Sequence, residues 1–220
     1  MRKSRVETAE TRERIVSGAS GLIREHGLSD VSVAQLMSNA GLTHGGFYAH
    51  FESREQLMAE AIRFALAQSA QRIYLSALKD GGRPGYARLI ERYLSPAHRD
   101  NPQSGCAIAS LGSEVARDSE EARSVFSEAF VALITLLAKL SPERTPKARR
   151  AHILGVISAW TGALVLARAV NDAQTSEEIL LAAKSTLLAE EKRRTARRAG
   201  GPNVVKSRAQ TAANQKKEFQ

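Results

Sequence analysis

An all-α fold is predicted for this 220-residue chain on three observations. Apolar residues recur at three- and four-residue spacing through nearly every segment, and no run alternates with the period of a half-buried strand. The periodic segments are separated by glycine, proline and serine positions of the kind that stop one helix and cap the next. One stretch, Ser32 to Phe51 (SVAQLMSNAGLTHGGFYAHF), fits two short helices and a tight turn into twenty residues.

The elements follow in order. The first helix runs from about Glu10 to His26, with Ile15, Ala19, Leu22 and Ile23 on one side and Gly27 at the stop. Ser32 is a good N-cap for the second, whose Val33, Leu36 and Met37 form one apolar face. Asn39-Ala40-Gly41 ends it, Gly41 being suited to the left-handed conformation of a helix stop. Thr43 can cap a third helix, in which Phe47 and Phe51 face inward while His44 and Tyr48 point out beside Gly45 and Gly46. Ser53 caps a long fourth helix that reaches Leu78 and is broken by Gly81-Gly82-Arg83-Pro84-Gly85. Tyr86 to Leu94 reads as a short helix and Ser95 to Pro102 as a loop. Gly105 to Arg117 is helical, Ser119 caps a helix to Leu140, and Ser141 to Pro146 breaks it. Lys147 to Val170 and Ser176 to about Arg194 supply the last two helices.

Composition narrows the function. A single cysteine excludes an intrachain disulfide and fits a reducing cytoplasm. The basic start Met1-Arg2-Lys3-Ser4-Arg5 has no apolar run behind it, so no signal peptide is expected. The longest uncharged apolar run, Ile153 to Ala167, is fifteen residues, short of the roughly 20 that span a bilayer, so no membrane is expected as a partner. No phosphate loop, dinucleotide fingerprint or metal-ligand spacing occurs, and none of the five histidines pairs with a cysteine or an HExxH pattern. Neither an enzyme nor a cofactor or metal protein is expected. The net charge of +9 is uneven: residues 1–60 hold seven basic and eight acidic side chains, whereas nine basic residues and one acid lie from Lys192 onward. Residues 196–220 therefore read as a basic, disordered tail. It is either merely solvated or a tether adding sequence-independent phosphate contacts.

Two adjacent glycines cost roughly 1 kcal/mol each against alanine inside a helix. A bare helix surface flanked by hydrogen-bonding side chains suits close approach to a DNA major groove. The stretch 32–51, continued by Glu52-Ser53-Arg54-Glu55-Gln56-Leu57, resembles the helix-turn-helix signature of TetR-type bacterial transcriptional regulators, and the resemblance covers residues 8–66. It implies that 8–66 is the DNA-binding domain and 67–195 an effector-binding and dimerisation domain. It also implies that the protein is a homodimeric repressor of a palindromic double-stranded operator, released by an effector. Thr43 and His44 would meet base edges or phosphate, Gly45 and Gly46 permit close approach, and Tyr48 and His50 donate to phosphates. Arg54, at a helix N-terminus, and Ser32 and Gln35 add backbone contacts. The family commonly has lysine where this chain has His44, which favours hydrogen-bond readout there. A non-specific architectural DNA-binding protein is the competing class, and the large apolar C-terminal region argues against it.

Gly155, Ala159, Gly162 and Ala163 make a small-residue face in a helix apolar nearly all round, fit either for core packing or for close approach of a partner helix. The resembled family pairs its two C-terminal helices with their symmetry mates in a four-helix bundle, which makes these the dimer candidates. The sole cysteine lies in Gln103-Ser104-Gly105-Cys106-Ala107-Ile108. Either it is a small buried hydrophobe, or, in the opening turn of a helix, its thiolate is favoured by the helix dipole. The pattern SGC-x5-L-x2-EV resembles the branch of the family represented by the N-ethylmaleimide reductase repressor, in which a corresponding cysteine responds to electrophiles and oxidants. Arg168 stands where that branch can carry a lysine, so no amine–sulfur crosslink is expected, while its guanidinium can hold a thiolate. Trp160 completes the set of effector-facing candidates, and a non-covalent apolar ligand is the alternative effector.

Overall fold

A computed structural model describes residues 5–75, 79 and 82–199, and among these there is no strand. Helix α1 (Arg5–His26) begins earlier than its apolar pattern, because a polar first turn carrying Glu7 still suits the positive helix end. It stops at Gly27, whose φ of +96° few other residues adopt. Helix α2 (Val33–Asn39) opens on a full capping box. Ser32 Oγ accepts from the Gln35 N–H, and Gln35 Oε1 accepts from the Ser32 N–H. Gly41 (φ +72°) makes the turn. The next element, His44–Ala49, is a 3-10 helix rather than an α-helix, and Thr43 stands at its N-cap without a side-chain capping bond.

Helix α3 (Arg54–Ser69) is capped by Ser53 as expected but passes into a π turn, Ala70–Tyr74. The remainder of that predicted helix, 76–78, lies outside the described residues. Helix α4 (Gly82–Tyr93) takes in most of the expected glycine-proline break. Pro84 sits in its first turn, where a missing N–H is not needed. The expected loop also contains helical turns, α5 (Pro96–Arg99) and a 3-10 turn at Pro102–Ser104, each led by a proline. Helices α6 (Ala107–Val115), α7 (Glu120–Leu137), α8 (Pro146–Ala169) and α9 (Ala173–Ala199) complete the chain. Because α9 runs to Ala199, the tail cannot begin at 196. Residues 200–220, with most of the basic tail, lie outside the described residues.

Two cores organise these helices. The first gathers Ile15, Ile23, Leu36, Phe47, Phe51, Leu57 and Ile62, and extends onto Leu111, Val115 and Val125 of α6 and α7. The second gathers Tyr74, Tyr86, Tyr93, Cys106, Leu137, Trp160 and Leu164. The first core thus crosses residue 66, so the helices before that residue are packed directly on α6 and α7. Polar bonds mark the seam: Glu114 accepts from the Leu28 N–H at 2.6 Å, and Arg24 and Ser69 both donate to the Gly105 carbonyl, at 3.2 and 3.0 Å. Helix α8 is long and apolar enough to cross a membrane by length and composition. It nevertheless buries His152, Ile153, Val156, Ile157, Trp160, Ala163, Leu164 and Ala167 in this protein's own core.

Candidate nucleic-acid interface and effector core

The recognition element is held from beneath by two stacked rings. Phe47 and Phe51 lie 5.7 Å apart at 27° and are almost fully buried. Arg12 of α1 places its guanidinium 4.7 Å from the Phe51 centroid, donates to the His50 carbonyl and pairs with Glu60 of α3. The outer surface is polar and bare. Thr43, His44 and Gly45 are exposed, and Tyr48 is 75% exposed with its ring edge-on to Phe47. A Cβ added at Gly45 would meet nothing within 4 Å, and one at Gly46 only Met37 Cε at 3.7 Å. Neither glycine has a positive φ. The protein's own packing does not require them, so what they supply is an unobstructed outer face.

Not every expected DNA contact lies on that face. Ser32 and Gln35 are exposed but bonded to one another in the capping box. His50 is half-buried with its Nδ1 covered. Arg54 turns inward: its Nη2 donates to the carbonyls of Leu28 and Val31, at 2.5 and 3.3 Å, and so braces the α1–α2 connection. The connection leaves two carbonyls with no helical N–H to accept, and a guanidinium one helix away satisfies both.

In the second core Cys106 is the N-cap of α6 rather than part of its opening turn, and it is 0% exposed. Its sulfur lies 3.1 Å from the Tyr74 hydroxyl, and its N–H donates to His98 Nε2 at 2.9 Å. His98 Nδ1 then donates to the Tyr93 carbonyl at 2.7 Å. This leaves the imidazole neutral with both nitrogens engaged, consistent with burial, Arg168 and Arg92 pushing its pKa below the usual value against the Tyr93 carbonyl. Trp160 lies between Tyr74 and Tyr93, with centroids at 6.0 and 4.7 Å. Its indole N–H is buried with no hydrogen-bond partner among the described residues. Burial also raises both phenols well above their ordinary pKa. Arg168 does not hold the sulfur. Its guanidinium donates to the carbonyls of Arg99 and His98 and to Ser110 Oγ. Tyr74, Tyr93 and His98 had no signal in the sequence, since 32, 13 and 8 positions separate them from Cys106 and nothing local marks them.

On α8, Gly155, Ala159 and Gly162 are exposed along one stripe with Leu166, which is 57% exposed. A Cβ added at either glycine would meet nothing within 4 Å. Ala163, only 8% exposed, belongs to the second core instead, because it lies one position round the helix from Gly162. On α9, Leu181, Ala182, Ser185 and Ala189 are exposed as well.

Helix α2, the Gly41 turn and the 44–49 element with its bare outer face together form a helix-turn-helix on an all-helical body. Residues 15–61 match the model of bacterial regulatory proteins of the TetR family, and residues 85–185 match the C-terminal domain of LmrA/YxaF-like transcriptional regulators. An uncharacterized HTH-type transcriptional regulator of Mycobacterium tuberculosis is 30% identical over 172 residues, covering 73% of this chain and 86% of that protein. The HTH-type transcriptional repressor NemR of Escherichia coli is 27% identical over 134 residues, covering 59% and 66%. The crystal structure of the reduced form of E. coli NemR superposes with a TM-score of 0.64 at 22% identity, covering 81% of this chain and 95% of that one. A TetR transcriptional regulator from Chloroflexus aurantiacus gives 0.62 at 24%, covering 84% and 95%. The chain belongs to the TetR family.

Proposed function

We propose that this protein is a cytoplasmic homodimeric repressor that binds a palindromic operator and releases it when an effector reaches the second core. The observation that carries the reading is the bare face of Thr43, His44, Gly45 and Tyr48 over a rigid Phe47–Phe51 floor. A single such element reads one half-site, so a two-fold dimer is needed to place two of them about 34–36 Å apart in successive major grooves. The exposed stripe of Gly155, Ala159, Gly162 and Leu166 is the surface we assign to that dimer.

Cys106 is the proposed covalent trigger. Its sulfur is fully buried in the core that holds Tyr74, Tyr93 and Trp160, 3.1 Å from the Tyr74 hydroxyl, so an adduct or oxidation would displace Tyr74 and the helix that leads to the DNA-binding unit. An effector acts only through unequal affinity for two conformations. The modified core would favour the one whose recognition elements no longer match the operator. Complete burial of the thiol supports a second reading, in which a non-covalent ligand is the effector and Cys106 only packs.

Selection of genomic fragments by the purified protein, followed by footprinting, tests the function. A protected palindrome is the expected result, and uniform coating of DNA would mark an architectural protein instead.

A further inference from the structure

The second core reaches the surface at one end of α7. Ile134 is 2% exposed and belongs to that core, yet it also lines a cleft of about 310 Å³. Thr135, Ala138 and Pro146 join it on the wall, and the Thr135 hydroxyl is spent on the Val131 carbonyl at 3.0 Å. A ligand therefore meets mostly apolar surface here, in a space at the small end of the roughly 300–1,000 Å³ usual for small-molecule sites.

The remaining lining residues are Lys139, Arg149 and Arg150, and no aspartate or glutamate lines the cleft among the described residues. Arg149 Nε donates to the Glu143 carbonyl at 2.8 Å, a neutral acceptor. Residues 139–150 hold five basic side chains and one acid, Glu143. The Glu143 carboxylate is bonded to Arg194 of α9 and so is engaged away from the cleft.

Nothing in the local folding calls for this charge. Helix α8 opens on Pro146-Lys147-Ala148-Arg149-Arg150 with no acid in its first turn, and cations at the positive end of a helix oppose its dipole. A cleft lined by one sign of charge concentrates ions of the other. Lysine and arginine stems also cover apolar surface while their charged ends stay in water. An apolar floor under a cationic rim fits a ligand that has both characters.

Helix α7 links this cleft to the DNA-binding unit. Val125, nine positions before Ile134 on the same helix, shares the first core with Leu57 and Ile62 of α3. A tilt of α7 at the cleft is thus felt against α3.

We propose that the cleft binds a small amphipathic organic acid, its apolar body on Ile134, Ala138 and Pro146 and its carboxylate among Lys139, Arg149 and Arg150. The role of that acid as the non-covalent effector rests on the repressor reading above.

Calorimetric titration of the full chain with octanoate, neutral octanamide and acetate tests the site. Octanoate should bind at least tenfold more tightly than either, since octanamide lacks the charge and acetate lacks the apolar body. Lys139 and Arg150 are exposed, so the double variant Lys139→Gln/Arg150→Gln leaves the core intact. It should weaken octanoate at least tenfold, and Thr135→Glu, which sets a carboxylate in the cleft, should do the same. Equal binding of octanamide or acetate, no binding of octanoate, or full affinity in either variant overturns the proposal. The regulatory role is read separately, on a selected operator fragment. Release of DNA by octanoate from wild type but not from the double variant supports it. Binding without release removes the effector role and keeps the site, whereas failure to select any specific DNA would fail the repressor reading alone.

Discussion

The Tyr74 hydroxyl lies 3.1 Å from the Cys106 sulfur, joining the π turn below the DNA-binding unit to the N-cap of α6. A group added to this sulfur has to displace the Tyr74 hydroxyl, which already lies in contact with it. Mild oxidant or a quinone should therefore release operator DNA, with reductant restoring binding after reversible oxidation. Cys106→Ser should keep DNA affinity and lose the response. Release of the serine variant at the wild-type dose, followed in a gel shift, would return Cys106 to the status of a packing residue.

Contacts on the recognition face should separate into two kinds. Tyr48→Phe removes one exposed hydroxyl without disturbing the Phe47–Phe51 floor, and should weaken binding to all sequences alike. Thr43→Ala and His44→Ala should instead alter preference among operator variants, by about 1–3 kcal/mol at the affected base pair if the contact is a base edge. Fluorescence anisotropy across a panel of half-site variants distinguishes the two. A Tyr48→Phe protein with unchanged affinity would remove the hydroxyl from the phosphate contacts.

What the sequence revealed follows from how far each signal travels along the chain. Ser32, Gly41 and Ser53 act on neighbours two to four residues away, and their caps and turn were readable as such. Pro84 reads as a breaker, because its place in the first turn depends on where α4 begins, which packing decides. Arg54 reads as a phosphate ligand from its place at a helix start, whereas the carbonyls it bonds, of Leu28 and Val31, lie more than twenty positions away. The same distance hid the Tyr74–Trp160–Tyr93 stack around Cys106. Small size placed Ala163 with Gly162, although one step round a helix separates the buried face from the exposed one.

Arg54 is thus expected to act on stability. Arg54→Ala leaves two carbonyls of the α1–α2 connection without their charged donor, and a hydrogen bond to a charged group contributes about 1.5–3 kcal/mol. The melting temperature should fall by several degrees, and DNA affinity measured well below it should change little. An unaltered melting temperature with a uniform loss of DNA affinity would put Arg54 back at the phosphate backbone.

Acid should destabilise the protein before its carboxylates titrate. Burial holds His98 and His152 below the usual histidine pKa, in the second case with Arg194 adding to the shift against Glu143 and Glu190. The unfolded chain then binds more protons than the native one, so stability rises with pH through this window and is lost as pH falls below about 6.5. Melting temperatures should drop between pH 7.5 and 5.5, and His152→Asn should flatten part of the drop. A melting temperature constant or rising toward pH 5.5 contradicts the assignment.

The two faces of α8 give opposite expectations for neighbouring residues. Gly162 is exposed with open space where its Cβ would be, whereas Ala163 is packed in the second core. Gly162→Arg should leave the protomer folded, because the side chain extends into solvent. It should split the dimer, because two copies of the charge would meet across a two-fold contact. Ala163→Leu should do the reverse, keeping the dimer while overpacking the core at a cost of about 1–3 kcal/mol. Light scattering coupled to size exclusion reads the first effect, and thermal denaturation reads the second. Operator binding should follow the dimer, since one recognition element holds only a half-site. A Gly162→Arg protein that stays dimeric would move the interface off this stripe, and the exposed Leu181 surface of α9 would be the next to test.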